Sequence, residues 1–369
     1  MKIVRVINEL RHGGVQLRLA RVAQDLVRRG HEVTVICTET EGPNADFLRE
    51  QGVRVELVPV RHWRNREDIR AMAGLLREIG PDVVHSHLFR QNAPATVAAR
   101  LAGVKAVFAQ IHLVGTYRKA SWVWADRILG QFRTGMLAVS EAVAMDIRHA
   151  LWPLAPRRLI VLHNGVETEP FEALDPEDCR GWLRQEFGLP QDSLVLLHAA
   201  RLSSEKNQHQ LLSAFARLRQ DYPQARLLMV GEGDLREDLE QKKDSLGLDG
   251  SVTFAGRRND IPRIMGGSDV FVLPSRQEGF SNAILEAMAA GLPLVVSDVG
   301  GARECLRHER NGLILPPLDE GALTAALERI CRRPDERTAM RSANRTDIAE
   351  FTQDRMVRRT LEIYEGALG

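Results

Sequence analysis

At 369 residues the chain exceeds what one core serves comfortably and suits two domains of ordinary size. Apolar residues make up 44% and charged residues 27%, a globular balance, and no apolar run approaches the ~20 residues that cross a bilayer. The formal charge of +1 conceals 24 Lys+Arg against 16 Asp+Glu in residues 1–168 and 26 against 33 in the remainder, which fits either an anionic partner for the basic half or attraction between the halves.

The opening MKIVRVINEL carries a charge every few residues and lacks the apolar stretch of an export signal. Within it Ile3–Ile7 reads as a strand, broken by Gly13 and Gly14. Apolar residues then recur at helical spacing from Val15 to Arg29, and Gly30 supplies the stop. The cycle repeats with strands at His31–Cys37, Val53–Val58, Asp82–His85 and Val104–Ile111, and helices at Asp68–Ile79 and Ala93–Leu101. The acidic, proline-containing stretch Glu167–Pro176 reads as a linker. Beyond it strands are predicted at Leu194–Ala199, Ala225–Val230, Val252–Phe254, Val270–Leu273 and Leu294–Ser297. Helices are predicted at Gln208–Arg219, Leu235–Leu246, Ile261–Gly266 and Asn282–Ala290. This alternation predicts an α/β protein of two Rossmann-like, doubly wound domains facing each other across a cleft, with ligands beyond the strand C-termini.

Three places carry candidate chemistry. In EGFSNAILEAMAAG, Gly279 permits a tight turn and Ser281 is a good N-cap, so the first turn of the helix offers N–H groups and a dipole to an anion. Glu278 precedes that site and Glu286 lies about 6 Å further along the helix. Two carboxylates bracketing a phosphate site suit a sugar nucleotide, although a loop acid and a solvated helix residue would look the same. In AARLSSEKN, Arg201 and Lys206 bracket a turn at a strand end, where two fixed cations can neutralise a diphosphate; ordinary surface charge is the alternative. Gly14 stands where backbone can approach a phosphate, or where a plain turn needs room. His85, His87 and His112 fall at or after strand ends and can act as acid or base or orient a hydroxyl, or simply be structural. No Walker loop, Asp-x-Asp clamp or zinc spacing is present. Cys37, Cys179, Cys305 and Cys331 are far apart, as in a reducing cytoplasm.

The motifs GGVQ, HSH, NGVE, ARLSSEKN, the Glu278-x7-Glu286 block and DVGGARE together resemble the retaining glycosyltransferases of family 4, which have the GT-B fold. The resemblance covers nearly the whole chain. It implies an acceptor-binding domain at 1–168, a donor-binding domain at 169–353, and a helix at 354–369 packing back on the first. It further implies that Arg201 and Lys206 hold the donor's diphosphate and that Glu278 binds the transferred sugar. Phe280, Ser281 and Asn282 would line sugar and phosphate, Glu286 would take the ribose, and Arg257 would sit beside the base. Gly14 would close on the phosphate and His112 would lie near the anomeric carbon, with His85 and His87 on the acceptor side.

The implied reaction is transfer of a hexose-type sugar, with retention, from a UDP-sugar by preference and a GDP-sugar second, to a glycan or lipid-linked hydroxyl of the cell envelope. It needs no cofactor and no metal, and nucleic acid is not a partner. Tyr117, Trp122, Trp124 and Phe132 interleave with Arg118, Lys119, Arg127 and Arg133, and RHWRNR spans 61–66. Such patterns fit peripheral contact with an anionic membrane from the cytoplasmic side, or merely a packed helix. The alternatives are a GT-B sugar-nucleotide epimerase and a catalytically silent partner subunit. Glu278→Ala and Lys206→Ala are expected to lower turnover by orders of magnitude while the fold stays intact.

Overall fold

The computed structural model describes every residue except 12, 63, 118, 119 and 157. Two compact units emerge, one formed by Met1–His163 with Gln353–Gly369, the other by Asn164–Thr352.

In the first unit seven strands form one sheet: β1 (Lys2–Ile7), β2 (Glu32–Cys37), β3 (Arg54–Leu57), β4 (Val83–His87), β5 (Ala106–Ile111), β6 (Gly135–Ala138) and β7 (Leu159–Val161). Their order is β3-β2-β1-β4-β5-β6-β7 and every pairing is parallel. The direction of winding reverses between β1 and β4, which makes that junction the switch point. Strand alternation divides β1 between two cores: Ile3 and Ile7 face one, Val4 and Val6 the other. The first core is closed by the helices Gly14–Arg28 and Gln353–Leu368, the latter contributing Met356, Val357, Ile363 and Tyr364.

The second unit repeats the plan with β8 (Leu194–Ala199), β9 (Ala225–Val230), β10 (Val252–Gly256), β11 (Val270–Leu273), β12 (Leu294–Ser297) and β13 (Gly312–Leu315), ordered β10-β9-β8-β11-β12-β13 and again all parallel. Here the switch point lies between β8 and β11. These strands read as near-continuous aliphatic runs because helices cover both faces of a parallel sheet.

Local signals explain the helix ends. Asn65 caps Arg66–Ile79 by accepting the Glu67 N–H at 3.0 Å, and Gly80 ends that helix at φ 61°. Three expectations need correction. The predicted linker Glu167–Pro176 contains a short helix, Glu169–Glu172, and Asp175 caps Pro176–Glu186 by accepting from Glu177 and Asp178. The division between units falls at 163/164 and 352/353 rather than 168/169 and 353/354. Asn164 is already bonded to the second unit, and Val166 bridges to Thr352. Strand β4 continues past His85 to His87, because His87 pairs with Gln110 of β5.

Candidate functional site

At the second unit's switch point, the loops leaving β8 and β11 carry the charged residues. Lys206 Nζ lies 2.5 Å from Glu278 Oε1, and the same oxygen accepts from Ser275 Oγ at 2.7 Å. The pair is largely withdrawn from water, with side chains 21% and 11% exposed. Four residues after Glu278 the helix Asn282–Ala289 begins. Its dipole and first N–H groups therefore open beside an ion pair. Ser281 occupies the N-cap position in extended conformation, but its hydroxyl does not close onto the first turn, contrary to a capping role.

Each loop is braced from below. His198, buried in β8, sits 2.9 Å from the Val272 carbonyl through Nδ1 and 3.2 Å from Gln208 Nε2 through its other nitrogen. A carbonyl can only accept, so Nδ1 carries the proton and Nε2 accepts from Gln208. Gln208 Nε2 also donates to the Arg201 carbonyl at 2.8 Å, tying the cationic loop to the sheet. Burial first, with the Lys206 charge also acting against the Val272 bond, pushes His198 down to about 4. Glu205 is held below the ordinary carboxylate value by its own backbone N–H, with the Arg201 and Lys206 cations adding to this.

Close backbone approach accounts for two glycines. A Cβ on Gly231 (φ +135°) would fall 2.0 Å from the Ala200 carbonyl, and one on Gly300 (φ +56°) 2.6 Å from the Glu278 carbonyl. Gly301 N–H donates to the Gly279 carbonyl at 2.7 Å, so the turn after β12 fixes the backbone under Glu278. Asn164 Nδ2 donates to the Phe280 carbonyl and to Asn282 Oδ1, both at 2.9 Å. The Phe280 ring lies 5.6 Å from Phe351.

The structure thus brings Lys206, Glu278, Phe280, Ser281 and Asn282 together. Arg201 is exposed at the start of the same loop, and Glu286 is half-buried in the second turn of the helix. Arg257 is exposed just beyond β10, two strands from β8, about 10 Å across the sheet. Sequence reasoning missed Asn164, His198, Gln208, Ser275 and Gly300. Of these, Asn164 and Gly300 fall in the motifs NGVE and DVGGARE, although neither was given a role; the others carried no local signal.

The first unit's histidines require correction. His85 and His87 are fully buried, so neither offers a face to an acceptor. His85 Nδ1 lies 2.6 Å from the Tyr364 hydroxyl, and its ring stacks on His87 at 4.2 Å. His87 Nε2 receives Arg5 Nη2 at 2.8 Å and Nε at 3.2 Å, while its Nδ1 lies 3.3 Å from His112 Nε2. His112, just past β5, is half-buried as a residue. Burial, reinforced by nearby cations, holds His85 and His87 well below the usual histidine range and His112 down to about 3. Arg5, a cation inside an apolar strand, is a signal the sequence reading passed over. Gly14 is the first residue of its helix after β1.

In the basic, aromatic segment, Tyr117 donates to Asp126 at 2.8 Å, Arg133 pairs with Asp126 at 2.6 Å, and Trp122 packs on Phe89; these turn inward. Trp124, Ile128 and Phe132 are exposed. Arg61 pairs with Asp68 at 3.1 Å, whereas Trp63, Arg118 and Lys119 lie outside the described residues. Among the described residues no group of His, Cys, Asp and Glu side chains gathers as a metal site, and no helix is long and apolar enough to cross a membrane.

Comparison with known proteins gives two family matches: residues 181–347 match Glycosyl transferases group 1, and residues 12–170 match Glycosyltransferase Family 4. A UDP-Gal:alpha-D-GlcNAc-diphosphoundecaprenol alpha-1,3-galactosyltransferase of Escherichia coli is 30% identical over 333 residues, covering 86% of this chain and 84% of that protein. A GDP-mannose-dependent alpha-(1-6)-phosphatidylinositol monomannoside mannosyltransferase of Mycolicibacterium smegmatis is 30% identical over 91% of this chain and 90% of its own. The crystal structure of Anabaena HepE in complex with UDP-glucose superposes with a TM-score of 0.88 at 22% identity, over 99% of this chain and 100% of that one.

Proposed function

The chain belongs to glycosyltransferase family 4 and is a GT-B glycosyltransferase, and on that premise we propose that it moves a hexose from a nucleotide diphosphate-sugar to a hydroxyl of a lipid-linked glycan. The observation that carries this reading is the Lys206–Glu278 pair at the switch point, beside the opening turn of Asn282–Ala289. The helix terminus and Lys206, with Arg201 at the start of their shared loop, stabilise the leaving diphosphate. Glu278 accepts hydrogen bonds from the sugar's hydroxyls, and Glu286 takes the ribose. Arg257 is assigned to the base and Gly14 to the phosphate. No metal or cofactor is required in this scheme.

Transfer proceeds with retention by front-face attack. The acceptor oxygen forms its bond to the anomeric carbon as the bond to the diphosphate breaks, and a diphosphate oxygen receives the hydroxyl proton. Charge stabilisation and positioning supply the rate. UDP is favoured as the nucleotide because the Escherichia coli relative is named for a UDP-sugar. A lipid-linked acceptor is favoured because the acceptors named for both relatives carry lipid. Seven of the twelve exposed large apolar side chains among the described residues fall between 113 and 154, including Trp124, Ile128, Phe132 and Trp152. With Arg127 lying 5.1 Å over the Trp124 ring, this surface fits the headgroup zone of an anionic bilayer on the cytoplasmic side.

The test is a thermal-shift panel of UDP- and GDP-sugars on the full chain, followed by NMR of the product's anomeric configuration with and without chelator. A donor that binds the native state raises the midpoint. No stabilisation by any sugar nucleotide, or an inverted product, overturns the reading. Conversion of donor without acceptor would indicate an epimerase instead.

A further inference from the structure

We propose that Arg5 is a positioning residue that fixes the proton of His112 on Nδ1, so that this imidazole donates a hydrogen bond to a substrate oxygen and cannot act as the general base. The catalytic consequence rests on the transferase reading above; the tautomer itself does not.

The argument is one of donors and acceptors. A guanidinium has only donors. Arg5 directs Nη2 and Nε at His87 Nε2, at 2.8 and 3.2 Å, so that nitrogen must present its lone pair. The neutral His87 ring then carries its proton on Nδ1. Nδ1 lies 3.3 Å from His112 Nε2, which must in turn accept, leaving the proton of His112 on Nδ1. The reverse arrangement would set N–H against N–H at the Arg5 end. Protonating His112 would set N–H against N–H at its contact with His87.

The surroundings keep the chain neutral. Arg5 is buried and, among the described residues, has no carboxylate within ion-pair distance. The charged groups acting on His112 are Arg5 and Arg18, both cations, and burial adds to them in lowering its proton affinity. His85 stacks on His87 at 4.2 Å, and the Tyr364 hydroxyl holds His85 at 2.6 Å, so the His87 ring cannot rotate freely to exchange its nitrogens. Nδ1 of His112 has no partner among the described residues, and the residue is half-buried, against full burial for His85 and His87. A general base needs a lone pair facing the substrate; this ring offers an N–H. It selects an oxygen acceptor such as a sugar hydroxyl. The proton released by the attacking hydroxyl must therefore leave by another route, which in the proposed reaction is the departing diphosphate.

Long-range 1H–15N correlation on histidine-labelled full-length protein reads the tautomer directly, with His112 assigned by the signals lost in His112→Asn. The expected pattern shows Nδ1 protonated and Nε2 unprotonated, unchanged across the neutral pH range. In Arg5→Met the His112 signals should move toward the other tautomer or begin to titrate. Arg5→Lys, which still supplies only donors, should restore the original pattern. With a donor sugar in hand, Arg5→Met should lower kcat by about 10–10²-fold at little cost in donor KM. It should also add an imidazole limb to the pH profile that the parent lacks. An Nε2-protonated His112 in the unaltered protein overturns the proposal whatever the activity proves to be. An Nδ1-protonated His112 in a protein that binds no sugar nucleotide would retain the tautomer and refute only the transferase assignment.

Discussion

Lys206→Met tests the site where stability and the proposed chemistry depend on the same two atoms. Among the described residues Glu278 has two side-chain partners, Lys206 at 2.5 Å and Ser275 at 2.7 Å. Removing the lysine leaves a carboxylate only 11% exposed with a single neutral donor. Breaking a buried pair by deleting one partner costs about 3–5 kcal/mol. Because Lys206 is about one-fifth exposed, a loss of about 2–4 kcal/mol is the reasonable expectation. For a unit of roughly 150–250 residues each kcal/mol moves the midpoint by ~2–4 °C, so the second unit should melt about 5–15 °C lower. The fold should stay intact, as the sequence leads one to expect, but at reduced stability. Activity should fall by ~10²–10³ for one lost electrostatic donor. The decisive comparison is Lys206→Met combined with Glu278→Gln. With both charges gone, scanning calorimetry should return the midpoint most of the way to that of the parent while transfer stays abolished. Destabilisations that simply add in the double variant, or single variants that melt like the parent, would refute the coupling.

Asn164→Ala deletes the donor shared by the Phe280 carbonyl and Asn282 Oδ1. It should cost about 1–3 kcal/mol and reduce the thermal shift produced by a donor nucleotide, read by calorimetry with and without UDP. Gly300→Ala places a Cβ 2.6 Å from the Glu278 carbonyl at a left-handed φ. Turnover should drop with far-UV circular dichroism unchanged, and full activity would contradict the bracing described for that turn. Acid should weaken the first unit. Its three clustered imidazoles have folded values below the unfolded histidine value, so their neutral state stabilises above about pH 6.5 and that contribution is lost as pH falls toward about 3 for His112. The slope is about 1.4 kcal/mol per pH unit for each ring that stays neutral. Hydrogen exchange at descending pH should open β4 and β5 before β9, and His112→Asn should lessen the dependence. Co-sedimentation with anionic vesicles at low salt should retain the parent protein and release Trp124→Ser with Ile128→Ser; equal retention of both would exclude that surface as the contact.

Strands β8, β9, β11 and β12 follow from the sequence to the residue, because a strand buried on both faces must be a short aliphatic run between turn residues. The pieces that escape such reading are those whose identity is decided elsewhere. β6 is GMLA and β7 only three residues long, too little pattern to separate from a helix fragment. Arg201, Lys206, Glu278 and Ser281 are legible as a candidate site because each stands on a loop that directly leaves a predicted strand, where parallel sheets gather ligands. Their support is not legible. Lys206 meets Glu278 across 72 residues and Asn164 meets Phe280 across 116, and no local periodicity reports which polar side chains a fold will bring face to face. His85 and His87 fail in the opposite sense. The pattern places them at or after a strand end, but pairing with β5 extends the strand past His85 to His87 and takes both inside.

A cation stands near each switch point and is neutralised differently: Arg5 lies within β1, whereas Lys206 lies in the loop beyond β8 and is about one-fifth exposed. At the second switch point Lys206 faces a carboxylate; in the proposed reaction the pair parts when the donor arrives, leaving lysine for phosphate and glutamate for hydroxyls. At the first, Arg5 faces only the lone pair of a neutral imidazole. An imidazole whose proton is fixed from behind cannot take up charge, so a cation placed there orders the ring at the cost of its basicity. A ring constrained in this way is suited to locating an uncharged oxygen. In the proposed reaction the chemistry of charge separation then falls to the second unit, where the ion pair can be rearranged. With a carboxylate in place of the guanidinium, Arg5→Glu would accept a hydrogen bond from His87 Nε2–H, reverse the chain, and return a lone pair to His112 Nδ1. A pH-rate profile that then acquires a limb near the ordinary histidine value would show that directionality of the hydrogen bonds, and not the presence of histidine, sets what this edge of the sheet can do.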